Sequence, residues 1–153
     1  MQGRILKFNR ILKIREDLRR DEQAILASER SEEQQVLKHL DELANEKSKA
    51  IMDFSKPGEK ALSSNELWFQ RQFISAIDSD IQRGNNSLND VRTRIAGTEA
   101  RLVERHRDVK IMETYIGKLK EADFQERLGI EQNELDDMAT MQFSRVKINQ
   151  GVK

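Results

Sequence analysis

The stretch FSKPGEKALSSNE, Phe54 to Glu66, decides how this chain folds. It holds the only proline of the 153 residues, and a glycine follows at once. Pro57 disfavours helix at Lys56 and removes a backbone donor. Gly58 accepts whatever dihedrals a turn requires. Ser63 and Glu66 have the spacing of a capping box, in which each side chain satisfies a backbone N–H at a helix start. A stop, a hinge and a start thus lie within about ten residues, and so short a link makes antiparallel neighbours. The pattern predicts one domain over 1–153: a helix over about 4–54, a turn over about 55–63, a helix over about 64–145 and a frayed tail over 146–153.

Outward from the turn, the C-terminal side carries the clearer signal. Stepping alternately by three and four from Ile74 gives Ile77, Ile81, Gly84, Leu88, Val91, Ile95, Thr98, Leu102, Arg105, Val109, Met112, Ile116 and Leu119. All but Gly84, Thr98 and Arg105 are aliphatic or methionine, and such a run is a coiled-coil seam. Gly84-Asn85-Asn86 would ordinarily mark a turn. The seam keeps its phase across it, so a continuous helix with a soft spot is predicted. The N-terminal side shows a weaker seam of Ile11, Ile14, Leu18 and Ile25, then Val36, Leu40, Leu43, Ala50 and Phe54. Its pattern fades over Ser28–Glu32 and resumes shifted, as at a stutter.

The predicted fold is all-α: a long antiparallel two-helix coiled-coil hairpin whose second helix is the longer. Centring the hairpin near Glu59 makes facing residues sum to about 118. Ile25 then meets Val91 and Ile95, Leu40 meets Ile77 and Ile81, and Ser28–Glu32 falls opposite Gly84-Asn85-Asn86. Residues beyond about 118 have no partner in this register. The seam also changes phase there, reappearing as Phe124, Leu128, Leu135, Met138 and Phe143.

Composition agrees. Charged residues make up 35% and aromatics 5%. That fills a narrow two-helix seam better than a thick core. Lys and Arg balance Asp and Glu, 27 against 27, and they are interspersed. A nucleic-acid binder needs a clustered positive field, so no nucleic-acid partner is expected. No apolar run approaches the length of a membrane span, so no membrane insertion is expected. The start, MQGRILKFNRILKIRED, lacks a signal-peptide core. With no cysteine, a reducing compartment is permitted, and the cytoplasm is the expected location.

Catalysis fails at each usual requirement. His39 and His106 are the only histidines, and each reads as a solvated helix residue without a second ligand at metal spacing. The glycines of the long helix are isolated and form no phosphate loop. No enzyme activity, metal or cofactor is expected. Binding surfaces are better marked. Trp68, Phe69 and Phe73 cluster in ELWFQRQFI directly after the turn. They could staple the hairpin end, or form a partner-binding hot spot. In EQNELDDMATMQFSR, Leu135, Met138 and Phe143 find nothing to pack on within the hairpin, which favours docking.

The segments FNRILKIRED, WFQRQFISAI, RLVERHRDVKIME and EQNELDDMATMQFSR, in this order, resemble the flagellar export protein FliJ family. The distinctive parts are the QFI block and the E-Q-x-x-L-D-D-x-A pattern ending in F-x-R. Asp137 stands where many relatives carry Glu. The resemblance implies a coiled coil similar to the central stalk of rotary ATPases, working in the bacterial flagellar type III export apparatus. It implies three partners: the hexameric export ATPase, the export-gate membrane protein and substrate-specific export chaperones. Location would be cytoplasmic, peripheral to the inner membrane at the flagellar base. By this resemblance Phe73 and Ile77, with neighbouring Trp68 and Phe69, face the gate. Leu12 and Arg15, with Leu135, Met138, Phe143 and Arg145, face the ATPase ring. A monomer in isolation is expected. The alternatives are a non-motor coiled-coil scaffold, and the equivalent stalk protein of a virulence type III secretion system.

Overall fold

The computed structural model describes residues 2–56 and 63–151. Two helices account for almost all of them: α1, Gln2–Ser55, and α2, Ser64–Gly151. No strand occurs among the described residues. The helices run antiparallel and pack against each other, and α2 is the longer, as predicted. Pro57 and Gly58, the predicted stop and hinge, lie outside the described residues. The start of α2 shows the Ser63 half of the predicted capping box: Ser63 Oγ accepts from the Glu66 N–H at 3.2 Å, and the Ser63 carbonyl accepts from the Leu67 N–H at 3.1 Å. α2 continues through Val146 and Ile148 to Gly151, where fraying was predicted.

The packing forms two compact units. One is Arg19–Glu104; the other joins Met1–Leu18 to Arg105–Lys153. In the Arg19–Glu104 unit, Leu26 packs with Val91 and Ile95, and Leu102 leans on them. Leu43, Ala50, Ile77 and Leu88 extend this buried seam. In the other unit, Val109, Met112 and Ile116 are buried. Phe8 meets Tyr115 edge-to-face at 4.9 Å, and Arg4 donates to the Tyr115 hydroxyl at 3.1 Å.

All fourteen seam residues of α2 from Ile74 to Leu119 are buried or half-buried. The helix passes through Gly84-Asn85-Asn86 without interruption. Gly84 has a packing reason: a Cβ built there would lie 2.5 Å from Leu40 Cδ2 and 3.2 Å from its Cγ. Gly117 has open space around it. The two glycines therefore predict opposite outcomes. Gly117→Ala gains the ordinary helix propensity, up to about 1 kcal/mol. Gly84→Val displaces Leu40 and loses about 1–3 kcal/mol. Urea unfolding of the two variants measures both; a stabilised Gly84→Val would refute the close approach.

α1 corrects the sequence reading. Along its covered side run Ile5, Phe8, Leu12, Arg15, Arg19, Glu22, Leu26, Glu29, Glu33, Val36, Leu40, Leu43, Lys47, Ala50 and Phe54, flanked by half-buried Ile11 and Leu37. This is one unbroken alternation of three and four, with no stutter. Ile14, Leu18 and Ile25, expected at the seam, are exposed by 60%, 38% and 46%. Charged side chains hold the seam positions between them. Arg15 Nη1 donates to the Asp108 carbonyl at 3.1 Å. Within the Arg19–Glu104 unit, Glu22 lies 3.4 Å from Arg101 Nε, and Arg101 donates to Thr98 Oγ1 at 3.0 Å. The Thr98 hydroxyl in turn donates to Glu29.

The register is also displaced. Lys47 pairs with Asp78 at 2.6 Å and Glu33 with Arg92 at 3.5 Å, and each pair sums to 125 rather than 118. Ser28–Glu32 therefore faces the Thr93–Arg101 stretch, and Leu40 faces Gly84. The difference is one heptad, which returns every apolar seam residue to an apolar partner. Charge breaks the tie. Slid back by seven, Lys47 would face Arg71, Arg30 would face Arg92, and Glu29 would face Val91 in place of Thr98. The observed register gives Arg30 a carboxylate, Glu99, at 3.3 Å, and Glu32 a guanidinium, Arg94, at 2.8 Å. The Arg94 hydrogen bond holds the Glu32 carboxyl below its usual range. A depressed carboxyl stabilises the fold above its unfolded pKa and ceases to do so as pH falls through its folded one. Both side chains are exposed, so salt screens this contribution.

Candidate functional site: two exposed apolar surfaces

The first surface lies at the start of α2. Trp68 and Phe69 meet edge-to-face at 5.2 Å and stay exposed by 56% and 65%. Phe73 turns toward α1, meeting Phe54 at 6.1 Å. Phe73 and Phe54 line a shallow groove with Ala50, Glu46, Lys49 and Asp53. Stapling and exposure are thus divided among the three rings: Phe73 closes on α1, while Trp68 and Phe69 face outward. Ile77 differs from the rest. It is only 4% exposed, buried in the seam, and reaches a partner only through the packing beneath it.

The second surface is the far end of α2. Leu119 and Asp123 are the last half-covered residues; from Phe124 to Asn149 every residue is exposed. These positions belong to the unit containing α1 residues 2–18, and α1 begins too late to cover them. At about 100° per residue, Phe124, Leu128, Leu135, Met138 and Val146 fall on one line, with Phe143 about 90° to one side of its centre. Ile130, Met141 and Ile148 form a second line, roughly 120–140° around the helix. Sequence reasoning missed the second line; its signal is a spacing of eleven and then seven. Met138, Met141, Gln142 and Arg145 border a small groove on this end.

Four residues predicted for the ATPase ring, Leu135, Met138, Phe143 and Arg145, share this exposed end. Leu12 and Arg15 do not join them. Both are half-buried against α2, and Arg15 is spent on the Asp108 carbonyl. Both histidines are exposed. Among the described residues no acidic, histidine or cysteine cluster could hold a metal, and no helix is long and apolar enough to cross a membrane.

Two long antiparallel helices packed along one seam, with exposed apolar side chains beyond it, define the coiled-coil hairpin class. Within that class, the model of the flagellar FliJ protein family matches residues 4–147, and the chain belongs to this family. It is accordingly a component of the flagellar export apparatus. No curated protein and no solved structure matches the chain significantly.

Proposed function

We propose that this chain is the stalk of the export ATPase complex, docking through the exposed end of α2. In this reading residues 124–149 enter the central hole of the hexameric export ATPase and promote its assembly and turnover. The carrying observation is apolar surface on two sides of a helix that nothing covers. A helix laid on a flat partner needs one apolar line; a helix surrounded by a ring uses several. Leu135, Met138, Phe143 and Arg145 make the contact, and Leu12 and Arg15 act by holding α1 against α2 below it. Trp68, Phe69 and Phe73 form a second contact, with the export-gate membrane protein, through which the chain reaches the inner membrane. Substrate chaperones are the third kind of partner.

The two surfaces separate by mutation. Leu135→Asp with Phe143→Asp is expected to lower stimulation of ATP hydrolysis by the purified export ATPase at least tenfold, consistent with the loss of two hot-spot side chains. Trp68→Ala with Phe69→Ala should leave that stimulation intact and weaken capture of the gate protein's soluble domain. Equal effects of both pairs on ATP turnover would remove the division of labour.

A further inference from the structure

The net charge of zero conceals a segregation inside the unit that contains both chain ends. From Gln2 to Arg15, α1 carries Arg4, Lys7, Arg10, Lys13 and Arg15 and no acid. From Glu121 to Asp137, α2 carries seven carboxylates against the single cation Arg127. Each of these stretches, with the one to three residues that follow it, also exposes an apolar line. On α1 it is Leu6, Ile14 and Leu18, the aliphatic side that the charged seam leaves outward. On α2 it is Leu128, Leu135 and Met138. A single molecule cannot bring the two together, because α2 is a continuous helix through this region.

We propose that two copies of this chain pair through these surfaces: the acidic end of α2 from each copy packs on the basic outer face of α1 from the other. A two-fold axis perpendicular to the helices is the arrangement that exchanges both ends at once. It sets one copy's α2 parallel to the other's α1. If the two helix pairs abut end to end, residue 124, the first uncovered position, lies beside residue 2, the first of α1, an offset of 122. The apolar lines ask for the same offset within two residues. Leu128 falls on Leu6, Leu135 on Ile14 and Met138 on Leu18. Glu131 and Glu134 then lie against Arg10 and Lys13. Abutment, apolar spacing and the pairing of Arg10 and Lys13 thus agree on one alignment, in which Asp136 and Asp137 come beside Glu16 and Asp17 at its far edge. The paired state hides residues 126–140 and withholds them from any other partner, so dimer dissociation would precede docking. The pairing itself does not depend on the ATPase reading.

Sedimentation equilibrium of the full chain at low salt, from about 1 to 200 μM, tests it. A monomer–dimer equilibrium is expected that weakens with added salt. Arg10→Glu with Lys13→Glu should raise the dimer Kd at least tenfold, as should Glu131→Lys with Glu134→Lys. All four residues are exposed, so circular dichroism should stay unchanged. Combining the four substitutions should restore the dimer. A monomer throughout the range overturns the proposal. So does a dimer that ignores the α1 reversals, which would mean that two α2 ends pair with each other, or a fourfold variant that remains monomeric. No ATPase enters this experiment, so a chain that dimerises as described but stimulates nothing would refute only the stalk reading.

Discussion

Ending the chain after Leu119 will reduce ATPase stimulation to the unstimulated rate while leaving the thermal midpoint of the remaining helix pair within a few degrees of the full chain. The asymmetry follows from where contacts lie. Among the described residues every buried one is at or before Ile116, and every side chain from Phe124 to Asn149 is exposed. Removing a segment without buried side chains removes almost no hydrophobic stabilisation, which is about 25 cal/mol per Å² of apolar area actually covered. Alone, such a segment is also only marginally helical in water, so it adds little cooperativity to the rest. Its exposed Leu, Ile, Phe, Met and Val side chains make sense as surface completed by a partner. Stimulation assays with the purified export ATPase and calorimetry on the same two proteins give both numbers. A shortened chain that stimulates as well as the full one ends the docking reading. A shortened chain that melts far lower shows that the end was covered after all.

The two helices were unequally legible. For α2, all fourteen positions of the apolar repeat from Ile74 to Leu119 are covered, and only Gly84, Thr98 and Arg105 interrupt it. For α1 the same method found Val36, Leu40, Leu43, Ala50 and Phe54 but chose the wrong face before them. There Ile14, Leu18 and Ile25 form the more aliphatic line, yet α2 packs on the line through Arg15, Arg19, Glu22 and Glu29. An apolar-periodicity argument assumes that the seam is the greasiest stripe, and it fails where partners across the seam are polar. Arg101, Thr98 and the Asp108 carbonyl are such partners, and they lie 69 to 93 residues away in sequence from the side chains they satisfy. The register failed for a related reason, because a seven-residue repeat is blind to a seven-residue slip. Charge pairing held the missing information, in residues that read as a solvated surface. Exposure followed the same rule. That of Leu135, Met138 and Phe143 was legible because nothing remained to cover them, whereas Ile77, as a seam residue, is buried.

The layer of Glu22, Arg101, Thr98 and Glu29 is where changing polarity will move stability most, in opposite directions for one substitution and for three. Thr98→Val keeps the shape and removes the hydroxyl that donates to Glu29. Glu29 is 7% exposed, and its carboxylate would lose a donor it cannot replace from water. A loss of about 1–3 kcal/mol is expected, or several degrees in thermal midpoint. Adding Glu22→Leu and Glu29→Leu to Thr98→Val removes the buried carboxylates themselves, including Glu22 Oε2, which is buried without a hydrogen-bond partner among the described residues. Exchanging a buried polar cluster for packed aliphatic side chains commonly gains about 1–4 kcal/mol. The triple variant should therefore be more stable than the natural chain although it contains the destabilising single change. It should also be less certain of its register, because Glu29 no longer distinguishes Thr98 from Val91. The chain has no cysteine, so cross-linking can read this directly. Lys47→Cys with Asp78→Cys reports the observed register, and Lys47→Cys with Arg71→Cys reports the slipped one. In the natural background only the first pair should oxidise readily; in the triple variant the second should gain at its expense. A triple variant that is less stable than Thr98→Val alone would show that the buried carboxylates hold the helices together rather than merely choosing how they align.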